Sequence, residues 1–308
     1  MRGMDSSKGG SRERDGRPGI WQRWRGLLGG WLAAWPWRQM RQADSEQAAL
    51  AQLQSPCPRL RWEAAAALAR QSRCSPEAVD ALVAALADPE EFVRWQAAEA
   101  LAAQDAEAVF PVLVEALSDP EPLRRAGAAE ALGKIPGEAS ALAVSKRVAD
   151  PDPRVRAAVA RALGEARQPA CISVLISLLE DDSPDVRREA AIALGRLGDV
   201  RAAGLLAAAL AEVDQPLLVR RALAAALAHV PSPDAQQTLL ATLSDPDPQV
   251  RGYAAQALGQ AGDEQAYQAL GYLLSDQAAL LHGTVGDAAR RAREMLERRG
   301  YGRGYRND

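Results

Sequence analysis

The stretch "DPDPRVRAAVARALG", residues 150–164, decides the fold, because it is one copy of a phrase that the chain writes again and again. Clear copies begin at Asp88 ("DPEEFVRWQAAEALA"), Asp119 ("DPEPLRRAGAAEALG"), Asp181 ("DDSPDVRREAAIALG"), Asp214 ("DQPLLVRRALAAALA") and Asp245 ("DPDPQVRGYAAQALG"), and weaker ones at Ser55 and Asp276. Anchored on the arginine, the copies fall at 61, 94, 125, 156, 187, 220 and 251, with His282 in the last, at intervals of 31 or 33 residues. A fixed period of that length means a solenoid, in which each unit buries its apolar face on the next.

Each unit reads as two helices. "PEAVDALVAALAD" (76–88) has helical apolar spacing, a proline-rich turn follows, and "FVRWQAAEALAA" (92–103) resumes the helical period. Proline cannot continue the first helix but fits the first turn of the second. Only two phenylalanines and five tyrosines occur in 308 residues, so the core is aliphatic and small. The expectation is an all-α solenoid of about eight helical pairs over residues 43–298. Around it are set a disordered basic leader (1–18), a tryptophan-rich amphipathic segment (19–41) and an Arg/Gly/Tyr tail (299–308).

The phrase resembles the HEAT repeat, and more specifically the short HEAT-like repeats of phycobilisome (bilin) lyase-type proteins. That resemblance implies a ladder of turn aspartate and following arginine along the stack, carried here by Asp88/Arg94, Asp119/Arg125, Asp150/Arg156, Asp181/Arg187, Asp214/Arg220 and Asp245/Arg251. It also implies that the arginine-bearing helix lines the concave side. A pair present in six successive units does what every unit needs, so its expected role is to hold turn to helix, not to catalyse. Ser55 and His282 replace ladder residues at the two ends, as terminal caps allow.

Little else points to chemistry. The chain has two histidines, His229 and His282, and three scattered cysteines, Cys57, Cys74 and Cys171, so neither a zinc site nor a disulfide framework is expected, and the compartment reads as a reducing cytoplasm. HEAT-like deoxyhypusine hydroxylases bind iron through His-Glu pairs; this chain has none, and that activity is rejected. Phosphate-loop, dinucleotide, metalloprotease and nucleophile-elbow motifs are absent too. No cofactor is expected. The resemblance leaves one enzymatic alternative, a bilin lyase or lyase-like chaperone subunit acting on a phycobiliprotein, with no catalytic residue to carry over.

Charge separates the remaining partners. The net charge is −3, but residues 1–41 carry +6 and 287–308 carry +3, leaving −12 in between. An acidic body opposes nucleic acid. A protein partner fits better, on the concave strip formed by the residue after each ladder arginine. That strip begins with two aromatics, Trp62 and Trp95, passes small residues and turns basic at Arg188 and Arg221, with Glu99, Glu130 and Arg161 along its edge. In "GIWQRWRGLLGGWLAAWPWRQM" (19–40), Trp21, Trp24, Leu28, Trp31 and Trp35 recur at helical spacing with arginines off the stripe. The uncharged run there is too short to span a bilayer. It reads as an interfacial helix docking on a partner or on anionic lipid at the inner face of the membrane, or as a cap on the solenoid. The overall expectation is a noncatalytic interaction scaffold.

Overall fold

The computed structural model describes residues 46–212 and 214–302. The expectations for residues 1–18 and 19–41, and for the tail from residue 303, lie outside the described residues. Sixteen α-helices form eight antiparallel pairs among those residues. They are α1 (Glu46–Leu53) with α2 (Pro58–Leu68), α3 (Pro76–Ala85) with α4 (Glu91–Ala102), α5 (Ala106–Ala116) with α6 (Pro122–Lys134), and α7 (Glu138–Ser145) with α8 (Pro153–Ala166). Then come α9 (Ile172–Ser177) with α10 (Pro184–Leu197), α11 (Ala203–Ala211) with α12 (Leu217–His229), α13 (Gln236–Thr242) with α14 (Pro248–Ala261), and α15 (Glu264–Gly271) with α16 (Val285–Arg298). The all-α solenoid expected from the repeat is therefore the observed architecture, and no strand occurs among the described residues.

Local chemistry explains where the helices start. Proline occupies the first turn of α2, α6, α8, α10 and α14, each behind an extended N-cap residue. Its missing N–H costs nothing there, since the first helical donors have no intrahelical acceptor. Asp152 and Asp247 accept from the backbone N–H groups of Arg154 and of Gln249 and Val250. The last helix ends differently: Gly300, at φ +99°, lets Tyr301 N–H reach the Leu296 carbonyl and its own N–H reach that of Glu297.

The "ALG" that closes the phrase sets the spacing between units. Its leucines, Leu132, Leu163, Leu194 and Leu258, are fully buried. Its glycines let consecutive second helices touch through their backbones. A β-carbon on Gly133, Gly164, Gly195 or Gly259 would lie 2.6–2.9 Å from the Cα of Ala162, Ala193, Ala226 or Ala292 in the next unit. The first helices pack on one another more sparsely. The second helices therefore form the more closely stacked layer.

Candidate partner-binding face

The ladder is the frame on which this face is built, and its connectivity differs from the pairing within units. Each arginine donates Nη1 to the backbone carbonyl of its own turn: Arg125 to Asp119 at 2.8 Å, Arg156 to Asp150 at 2.8 Å, Arg251 to Asp245 at 2.8 Å. Its Nε and Nη2 reach the turn aspartate of the following unit. Arg61 grips Asp88 (2.6 and 2.8 Å), Arg125 grips Asp150 (2.9 and 2.8 Å), and Arg156 grips Asp181 (2.6 and 2.9 Å). Arg220 and Arg251 grip Asp245 and Asp276 in the same way. The carboxylate also accepts the N–H two residues on, as Asp150 does from Asp152 at 3.0 Å, which closes its own turn. A carboxylate engaged with its own turn presents its free edge to the preceding unit, and the planar guanidinium fork fits that edge.

Two rungs depart from the pattern. Asp119 is taken by Arg124 at 2.7 Å, and among the described residues Arg94 reaches only the carbonyls of Asp88 and Pro89. The Asp214/Arg220 assignment is corrected by one residue: Asp214 is exposed, while Gln215, 4 % exposed, accepts from Arg187 Nε at 3.3 Å and offers its carbonyl to Arg220. Gln215 stands five residues before Arg220 where Asp88, Asp150 and Asp245 stand six before their arginines, and this shorter turn puts an amide where other units have a carboxylate. At the first unit Ser55 keeps the turn with its hydroxyl (Cys57 N–H, 3.2 Å) and its carbonyl (Arg61, 2.9 Å), there being no earlier arginine among the described residues to pair with.

On the face of the second helices the structure ties most of the charged strip to itself. Arg161 pairs with Glu130 and, at 3.5 Å, with Glu189. Lys134 bridges Glu99 (2.7 Å) and Glu165 (3.4 Å), which Arg196 meets at 3.9 Å. Arg188 holds Glu189 (3.0 Å) and Asp185 (3.4 Å), and Arg221 holds Asp247 at 2.5 Å. Burial raises the Glu130 carboxyl above its ordinary value, against the pull of Arg161 and Lys134. Burial pulls Lys134 down, but Glu165 and Glu99 outweigh it and hold the ammonium above its usual range. Lys134, Glu165, Glu189 and Arg196 were not among the residues expected from sequence. The signal for three of them was present, since Lys134, Glu165 and Arg196 each stand four residues, one helical turn, beyond the edge position of their helix. Trp62 and Trp95, in α2 and α4, are both half-buried.

The face of the second helices opens at its C-terminal end. Between α14 and α16 lies a groove of about 740 Å³. Gly252, Tyr253 and Gln256 of α14 form one side, Arg291, Met295 and Arg298 of α16 the other. Leu280 and Leu281, in the segment 272–284 that joins α15 to α16, wall it. Gly252 is what admits that segment, for a β-carbon there would stand 2.8 Å from Leu280 Cδ1. Among the described residues no group of three or more histidine, cysteine, aspartate or glutamate side chains is arranged to hold a metal ion, and no helix is long and apolar enough to cross a membrane.

HEAT repeats match residues 46–133, 93–145, 141–218 and 209–288. The chain belongs to the HEAT-repeat family. No curated protein sequence matches it. Among solved structures, the Escherichia coli protein YibA is similar at 20% identity and a TM-score of 0.61, over 93% of this chain and 99% of that one. Kap121p bound to Nup53p is similar at 15% identity and a TM-score of 0.63, over 82% of this chain and 33% of that one. The complex of CpcE and CpcF of phycocyanin lyase from Nostoc sp. PCC7120 matches at 26% identity and a TM-score of 0.42, over 85% and 98%. The first two likenesses concern the fold.

Proposed function

We propose that the chain is a noncatalytic protein-binding scaffold that receives its partner on the inner face of the second helices. One observation carries this reading: rungs between units make a rigid frame whose inner surface runs from Trp62 and Trp95 to the open groove at α14 and α16. Rigid, pre-formed surfaces bind without an ordering cost. The ion pairs Glu99–Lys134, Glu130–Arg161, Arg188–Glu189 and Arg221–Asp247 hold the middle of that surface in shape, and the two ends supply the contacts. The tryptophan-rich segment 19–41 adds a second attachment, to anionic lipid or to the partner, on the strength of its sequence.

Affinity capture from the native organism with mass spectrometry tests the scaffold. A specific partner held by the full chain is released by the inner-face substitutions Trp62→Ala or Gln256→Arg and retained by Leu142→Lys, which alters an exposed leucine of first helix α7. If Leu142→Lys alone releases the partner, or neither inner-face change does, the inner face is not the binding surface.

A further inference from the structure

We infer that the groove between α14 and α16 binds an extended segment of another protein in which apolar residues alternate with acidic ones. The inference rests on the scaffold reading and names where on the inner face, and by what chemistry, a partner is held. In the units with charged inner positions, arginine and lysine are consumed by carboxylates of neighbouring units, as Arg161, Lys134 and Arg221 show. In α16 the pattern fails. Arg291 and Arg298 line the groove, both exposed, and neither has a hydrogen-bond or ion-pair partner among the described residues. Their neighbours are not in that state: Arg290 is held by Asp287, Arg293 stacks on Tyr267, and Arg299 donates to the carbonyls of Gln260 and Gly262. Two uncommitted guanidinium groups on one wall, with Glu294 as the acidic residue among those lining it, give the groove a positive balance in a chain of net charge −3. Carboxylates are the groups that complement them.

The other walls set the form of the ligand. Gln249 and Gln256 line the groove with side-chain amides that have no partner among the described residues. Each amide offers a donor and an acceptor together, the pair that an extended peptide backbone presents in reverse. Apolar contact comes from Tyr253, Met295 and the turn 280–283, where Leu280 N–H bonds the Gly283 carbonyl and Gly283 sits at φ +87°. That turn holds Leu281 at the groove with 86% of its surface exposed. An exposed leucine fixed on a tight turn beside a concave surface contributes contact area at little entropic cost. A volume of about 740 Å³ is that of a ligand site able to take several side chains.

The test is a screen of the purified full chain against an array of short random peptides, followed by titration of the best binder. Enrichment of leucine, isoleucine or phenylalanine interleaved with aspartate or glutamate is expected. Arg291→Glu with Arg298→Glu should weaken the best binder about tenfold or more and improve the same peptide with lysines in place of its acids, while added salt weakens wild-type binding. Gln256→Trp should abolish it, with the circular dichroism melting curve unchanged for both variants. Enrichment of basic or uncharged peptides overturns the inference, as does binding that ignores all groove variants. If the enriched peptides are released by Trp62→Ala and not by the groove variants, the scaffold reading survives and this site does not; if no inner-face substitution releases any peptide, the scaffold reading fails as well. A polyuridylate oligonucleotide that outcompetes the peptides and depends on the same two arginines would reassign the groove to nucleic acid.

Discussion

Arg94 and Arg125 occupy the same place in the same phrase, yet replacing them with alanine should have different consequences. Arg125 donates to two carbonyls of its own turn and bidentately to Asp150, whose side chain is 2% exposed against 11% for Arg125. Arg94 makes the carbonyl contacts and, among the described residues, no carboxylate contact. The difference between the two substitutions isolates the rung. Removing one member of a buried, hydrogen-bonded ion pair costs about 3–5 kcal/mol, and carbonyl hydrogen bonds from a charged donor account for about 1.5–3 kcal/mol where only they are lost. Arg125→Ala should therefore exceed Arg94→Ala by about 2 kcal/mol. Asp150→Asn should fall between, since its amide oxygen can still close the turn through Asp152 N–H while its NH₂ faces the guanidinium. Urea unfolding followed by circular dichroism gives the totals, and hydrogen exchange at α6 and α8 localises them, which matters because a repeat array need not unfold in one step. Equal losses for Arg94→Ala and Arg125→Ala would refute the reasoning, because sequence position and not pairing would then set the energy.

Further outcomes follow from the same geometry. Gly164→Ala gains up to about 1 kcal/mol in helix propensity but places a methyl 2.7 Å from Ala193 Cβ, so a net loss of about 1–2 kcal/mol in thermal denaturation is expected; a stabilised variant would show that the stack can open at no cost. Arg167 ends α8 at φ +50° and is exposed, so Arg167→Gly should stabilise by about 0.5–1 kcal/mol, and a lower melting temperature would contradict this. Burial raises Asp181, but Arg156 and the Ser183 N–H outweigh it and leave it below its usual value, while Asp287 and Asp199 are drawn to about 2 by Arg290 and Arg201. Folded values depressed below the unfolded one, about 3.9, mean that their stabilisation is whole above about pH 4 and lost as pH falls toward 2. Glu130, raised by burial, works the other way and adds stability as it protonates, so the melting temperature should hold or rise slightly from pH 7 to about 5 and fall steeply below about 4; a steep fall above pH 5 would assign acid sensitivity to other groups. Finally, the full chain should float with anionic vesicles and a version without residues 1–41 should not, whereas flotation of the truncated chain would place lipid contact on the solenoid.

The phrase 150–164 determined the architecture by itself, because period, proline position and alanine-leucine spacing are local and additive. A helix pair can be read wherever apolar spacing breaks at a Pro-rich turn, and eight such readings give eight pairs. The same locality explains why Asp150 and Arg156 could be picked out as structural before any contact was known. What the arginine holds was not legible. Asp88 serves Arg61 of the preceding unit, and nothing in a single unit says whether a carboxylate closes forward or back; that depends on the offset between neighbours. Nor could a motif show that Arg124 diverts Asp119, or that the shorter turn before Arg220 replaces a carboxylate by Gln215, since both are outcomes of competition in three dimensions. The face of the second helices behaved likewise. Glu130 and Arg161 stand 31 residues apart, and only stacking at backbone contact, permitted by glycines such as Gly133, brings them together, while the same stacking leaves Arg291 and Arg298 with no carboxylate to meet among the described residues.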